Sequence, residues 1–254
     1  MKSLYQFNEL EIYKEYLLAN KHQLYFQEPL AMDHRVIALL DISYKPVGLG
    51  NSLVVHADYG VVLAMRTTKE LINEIHKYNG VGFAVARVAA NRFNVKHLPI
   101  TFGYTAYMPM TGGSRKSVDW IAAHHIESYS QEDSHAHFTT IQGHKIRLSF
   151  PRGNLKKRIH DVCMISELTV IFMKEINGAG QMEVSPLRNT GILREFEDCN
   201  CFRHREMVRN PIKIEYLYDQ IVNYLLNHIG IEEPGAASLI TFYSQNLNRL
   251  KRNY

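Results

Sequence analysis

Residues 107–158 read YMPMTGGSRKSVDWIAAHHIESYSQEDSHAHFTTIQGHKIRLSFPRGNLKKR. A Gly-Gly-Ser loop carrying Arg115 and Lys116 opens the stretch, and Asp119 to Ile126 follows as a strand-like run with the only Trp, Trp120. After an acidic break come two strand candidates, His135 to Ile141 and His144 to Phe150, separated by Gln142-Gly143. A two-residue loop with Gly points to a hairpin closed by a primed turn, which needs positive φ. In the second arm Lys145, Arg147 and Ser149 alternate with Ile146, Leu148 and Phe150. That period of two predicts a half-buried strand with a cationic wet face.

A helix should follow. Asn154 precedes an apolar pattern of Leu155, Ile159 and Val162 and suits an N-cap. Lys156, Lys157 and Arg158 fall in the first turn, where cations oppose the helix dipole. An anion held there reverses that sign, because free N–H groups and cations converge on it.

Charge distribution points the same way. The 254-residue chain has a net charge of only +4. Yet residues 75–160 hold twelve Lys and Arg against four acids, a balance of +8. Seventeen Lys and Arg against twenty-one acids give the remainder −4. Such asymmetry suggests a polyanion-facing module in an otherwise acidic protein. With 46% hydrophobic and 21% charged residues the chain buries a core. No apolar run approaches the roughly 18 residues of a membrane span, and the N-terminus does not read as a signal peptide. Three Cys without framework spacing (Cys163, Cys199 and Cys201) fit a reducing, cytoplasmic compartment.

Outward from the centre, residues 7–20 show helical spacing, with Asn20 as the stop. Residues 35–42, 52–57 and 61–66 read as strands. Thr67 and Glu70 form a capping box, and Gly80 sits where a helix ends. Gly80 to Arg87 reads as a glycine-rich turn; its G-x-G lacks the third Gly of a dinucleotide fingerprint. Leu98 to Ile100 and Tyr104 to Met108 look like strand pieces. Residues 162–175 continue as an apolar helix, and 177–210 look irregular. Asn210-Pro211 opens a helix to about residue 229, and a second runs over about 234–251. The architecture expected is α+β: a β-rich central core with flanking helices and a C-terminal helical hairpin. Residues 1–175 would form the core and 176–254 an oligomerisation or regulatory region.

The order of Leu98-Pro99-Ile100, Ala106 to Thr111, Asp119-Trp120-Ile121-Ala122-Ala123-His124-His125-Ile126, Gly143-His144-Lys145-Ile146 and Asn154 to Ile159 resembles the bacterial competence transcription factor family, ComK. The resemblance spans roughly residues 35–165. The family has a polar Ser-Ser-Tyr-x-Gly-Arg stretch where this chain has Gly82 to Arg87. The resemblance implies a transcription activator of competence, or DNA-uptake, genes. It implies binding to paired A/T-rich boxes of double-stranded DNA, mainly through the minor groove and as an oligomer, a dimer or tetramer. It also implies turnover through an adaptor and a Clp protease.

Residues and resemblance together predict a DNA-binding protein without catalysis, cofactor or membrane attachment. Phosphate contacts would supply affinity, and an inserted Arg would read a narrow A/T-rich groove by shape. Arg87, Arg92, Lys96, Arg115 and Lys116 are the loop and turn candidates. Lys145, Arg147, Lys156, Lys157 and Arg158 are the candidates on regular structure. Trp120 reads as core. The alternative is a metal-dependent enzyme on a β-rich fold using His124, His125, His135, His137 and His144, since His-x-His on a strand puts both rings on one face. Cys199-x-Cys201 with His204 is a further partial zinc pattern lacking a fourth ligand nearby, and a plain loop is the simpler reading.

Overall fold

The computed structural model describes residues 11–78, 80–112, 116–186 and 189–209, with isolated positions beyond. In chain order the elements begin with β1 (Glu11–Ile12), α1 (Lys14–Ala19), β2 (Val36–Asp41), β3 (Ser52–His56) and β4 (Gly60–Ala64). Next come α2 (Thr68–Tyr78), α3 (Gly80–Arg92), β5 (Ile100–Phe102), β6 (Thr105–Pro109) and β7 (Trp120–Ala122). The series closes with β8 (Ile126–Glu132), β9 (His135–Thr140), β10 (Lys145–Ser149), α4 (Leu155–Ala179) and α5 (Phe202–Arg209). The fold class is α+β, as expected.

Two sheets share the work. One has six antiparallel strands in the order β4-β3-β2-β7-β6-β5. The other has four, β1-β10-β9-β8, with β1 parallel to β10. Both faces of the larger sheet are covered, which is why its strands read as near-continuous apolar runs. Leu53, Val55, Val61, Leu63, Met108 and Ile121 face the main core, together with Phe138, Ile146 and Leu148 of the smaller sheet and Leu155, Ile159 and Val162 of α4. Alternate residues Val54, Val62, Tyr107 and Trp120 face the opposite layer, under Leu71 and Ile72 of α2. Trp120 is 7% exposed, so it is core, as its apolar surroundings predict.

The run Asp119–Ile126 is not one strand. Trp120–Ala122 pairs with β2 and β6; a 3-10 turn, Ala123–His125, then passes the chain into the smaller sheet, where β8 begins. The acidic stretch read as a break is β8 itself, stabilised by pairing with β9 although most of its side chains are exposed. The β9–β10 hairpin is also wider than expected. Thr140 N–H donates to His144 O at 2.8 Å and Gly143 N–H to Thr140 O at 2.8 Å. Gly143 takes positive φ, +85°, while Gln142 does not. This is a three-residue loop with Gly in the left-handed position, not a two-residue primed turn.

The capping box holds. Thr67 N–H donates to Glu70 Oε2 at 2.8 Å, and Glu70 N–H to Thr67 Oγ1 at 3.2 Å. The glycine-rich turn expected at 80–87 is the first part of helix α3 instead. Its small residues Ala86, Ala89 and Ala90 lie against Met164, Ile165 and Leu168 of α4. That tertiary burial outweighs the poor helix propensity of Gly80 and Gly82. Within residues 7–20 the described part is β1 followed by the short α1, whose C-cap is Asn20. Irregular residues 177–210 contain α5. The division expected at 175/176 falls inside α4, and Ile192 and Leu193 pack into the main core. The hairpin expected over 211–229 and 234–251 lies outside the described residues, apart from helical positions such as Asp219 and Thr241. Among the described residues no helix is long and apolar enough to cross a membrane.

Candidate functional site

A cleft of about 340 Å³ opens between α2, α3 and the β5–β6–β7 edge of the larger sheet. Its back wall is apolar, formed by Ile72, Phe83, Ile100 and Trp120. Its rim is cationic. Lys69 comes from the first turn of α2, Arg87 from α3, Lys96 from the segment after α3, and Lys116 from the loop before β7. Among the described residues the lining contains no Asp or Glu. His97 is the remaining titratable group. Burial first, then the nearby Arg158 guanidinium, hold its imidazole below the ordinary His range. At neutral pH it therefore adds hydrogen-bonding capacity rather than charge.

Three of the ten predicted cations, Arg87, Lys96 and Lys116, meet in this cleft. Arg87 and Arg92 are helical, not loop residues, which corrects the reading of the 80–87 segment. Five positions round α3, Arg92 points elsewhere and approaches Glu206 of α5 at 4.0 Å. Arg115 lies outside the described residues. Lys69 was missed by sequence reasoning. The signal for it was available: a cation in the first turn of a well-capped helix, the same argument applied to α4.

The cationic face expected on β10 is partly neutralised. Lys145 is exposed. Arg147, in contrast, stacks over the Tyr13 ring at 3.9 Å and lies 3.7 Å from Glu11 Oε2. Glu11 also accepts from His137 Nδ1 at 2.7 Å. On α4, Asn154 Oδ1 accepts from Lys157 N–H at 2.8 Å, so the N-cap is as predicted. Lys156 and Lys157 are exposed, but Arg158 is 9% exposed and is not a free surface cation. Its guanidinium donates to Pro109 O at 2.9 Å and sits over the Phe150 ring. Pro109 lines the cleft, so Arg158 braces the cleft wall from behind.

Of the five histidines of the alternative reading, His124 and His125 lie on the 3-10 turn Ala123–His125 and bond to backbone. His124 accepts from Ala106 N–H at Nδ1, 3.2 Å, and its Nε2 donates to His34 O at 3.0 Å. His125 Nε2 donates to the same carbonyl at 2.7 Å. Burial pushes the His124 imidazole down to about 4. Among the described residues, one group of His, Cys and carboxylate ligand atoms is close enough to share an ion: His160, Cys199, Cys201 and His204. Comparison of the chain with protein-family models, curated proteins and solved structures gives no match.

Proposed function

We propose that the protein is a DNA-binding transcription activator that acts by binding rather than catalysis, with the cleft between α2, α3 and β5–β7 as part of its polyanion interface. One observation carries this reading: Lys69, Arg87, Lys96 and Lys116 converge on one cleft with no acidic lining residue among those described. Cations brought to one cleft repel one another, and a phosphodiester backbone relieves that repulsion. The family resemblance supports A/T-rich boxes as the target, minor-groove entry, an oligomeric state and control by an adaptor and Clp protease, and the three Cys without framework spacing support a cytoplasmic location. Lys156 and Lys157 extend the basic surface on α4; Arg158 supports the wall.

The test is duplex affinity against salt concentration, for A/T-rich and G/C-rich sequences. Arg87→Ala, Lys96→Ala and Lys116→Ala combined should lower the slope of log affinity against log salt by about three units, close to one per lost phosphate contact. A minor-groove ligand should displace the protein from the A/T-rich duplex. An unchanged slope in the triple variant rejects the cleft as the interface. Sensitivity only to major-groove blocking rejects the mode of entry.

A further inference from the structure

His160 lies on α4, two residues beyond the cleft-bracing Arg158. Cys199 and Cys201 lie on the irregular chain after the 3-10 segment Gly191–Arg194, and His204 lies on α5. Their ligand atoms all fall within 4.8 Å of one another. His160 Nε2 is 3.5 Å from both Cys199 Sγ and Cys201 Sγ, and His204 Nδ1 is 3.3 Å from Cys201 Sγ. Tetrahedral zinc with ordinary Zn–S and Zn–N bonds sets sulfur and nitrogen ligands about 3.6 Å apart. The four side chains thus stand at nearly the separations that a shared ion demands.

The nitrogens turned away from this centre support the same assignment. His204 Nε2 is buried with no closer acceptor than Glu167 Oε2, 3.4 Å away. His160 Nδ1 faces Asp161 Oδ1 at 3.9 Å, and Arg203 of α5 bonds to that same Asp161 oxygen. A carboxylate thus lies on the far side of each imidazole, where the outer hydrogen-bond acceptor of a metal-bound histidine sits, and the nitrogens facing the centre are the ones available to a metal.

We propose that His160 Nε2, Cys199 Sγ, Cys201 Sγ and His204 Nδ1 form a structural zinc site. Four protein ligands fill the tetrahedron, so no position remains for water or substrate, and the site is closed rather than catalytic. Binding takes both cysteines as thiolates and releases two protons, and two thiolates balance the dication. The ion ties the Cys199–Cys201 segment and α5 to α4. The earlier partial pattern lacked only His160, which the sequence places far upstream.

The test uses the full chain, stripped with a chelator and titrated with zinc alone against a chromophoric competitor. Wild type should take up one equivalent, and Co²⁺ in its place should give the intense thiolate charge-transfer and tetrahedral ligand-field absorption of a two-sulfur site. Cys199→Ser with Cys201→Ser should lose that uptake, whereas Cys163→Ser should retain it. Glu167→Gln should weaken zinc affinity by about ten- to a hundredfold. Should the double variant fail to fold, alkylation of the wild-type protein decides: zinc should slow modification of Cys199 and Cys201 at least tenfold, reversibly with chelator. Failure of wild type to take up zinc, uptake unchanged in a folded double variant, a cobalt spectrum without thiolate bands, or alkylation indifferent to zinc would each overturn the assignment.

Discussion

The Arg158 guanidinium reaches Pro109 O at 2.9 Å from inside the protein, while Lys156 and Lys157 on the same helical turn face solvent. Their unequal roles were legible in the spacing. Position 158 is three beyond Leu155 and four before Val162, so it falls on the apolar stripe of α4. The dipole argument treats all three cations alike and hides that difference. Burial holds the Arg158 guanidinium below its ordinary range, consistent with a charge held by carbonyls rather than by water. Arg158→Ala should destabilise the fold by about 2–4 kcal/mol, through unpaired carbonyls and a cavity. Lys156→Ala and Lys157→Ala should each stay within about 0.5 kcal/mol of wild type. Urea unfolding of the three single variants measures this; an Arg158→Ala protein as stable as wild type would contradict the bracing role.

At the scale of elements, local chemistry announced what local chemistry controls. The Thr67–Glu70 box, the Asn154 cap and the alternation in β10 depend on neighbours in sequence, and all could be read there. Helix α3 depends on α4, and the turn Ala123–His125 depends on two sheets meeting, so neither has a strong local signature. The 3-10 segment Gly191–Arg194 belongs to this second group. Gly191 has φ of +56°, and a Cβ there would lie 2.4 Å from Ile126 O and 2.9 Å from Ala123 O. It therefore packs its bare backbone against the passage between the sheets. Gly191→Ala meets both the strain of positive φ and contact with backbone that has little room to retreat. We expect a loss of more than about 1 kcal/mol, read as a lower urea midpoint with an unchanged slope. A variant with the wild-type midpoint would show that the contact is relieved by a shift of the segment.

For the molecule as a whole, buried histidine sets a pH dependence. His124 has its folded value near 4 because burial disfavours the imidazolium, against about 6.5 in an unfolded chain. The unfolded state therefore binds the extra proton between those values, and stability rises with pH across the window. Acidification from pH 6.5 to 4 should remove about 3 kcal/mol from this group, with the full contribution restored above pH 6.5. Denaturant titrations at several pH values, for wild type and His124→Gln, measure it; an equal acid loss in both proteins would assign the effect elsewhere. The convergence of Arg87, Lys96 and Lys116, like that of His160 with Cys199, was illegible for one reason. The residues come from separate elements, and only the packing of α2, α3 and α4 on the sheets brings them together. One pairing bears on how the chain is made. Strand β1 lies beside β10, with Glu11 opposite Lys145 and Ile12 opposite Ile146. During vectorial synthesis Glu11 leaves the ribosome before Lys145 and must wait for it before β1 has a strand to pair with. The smaller sheet can therefore acquire this edge strand only after its three other members have been synthesised, which makes β1 a long-range closure of the sheet.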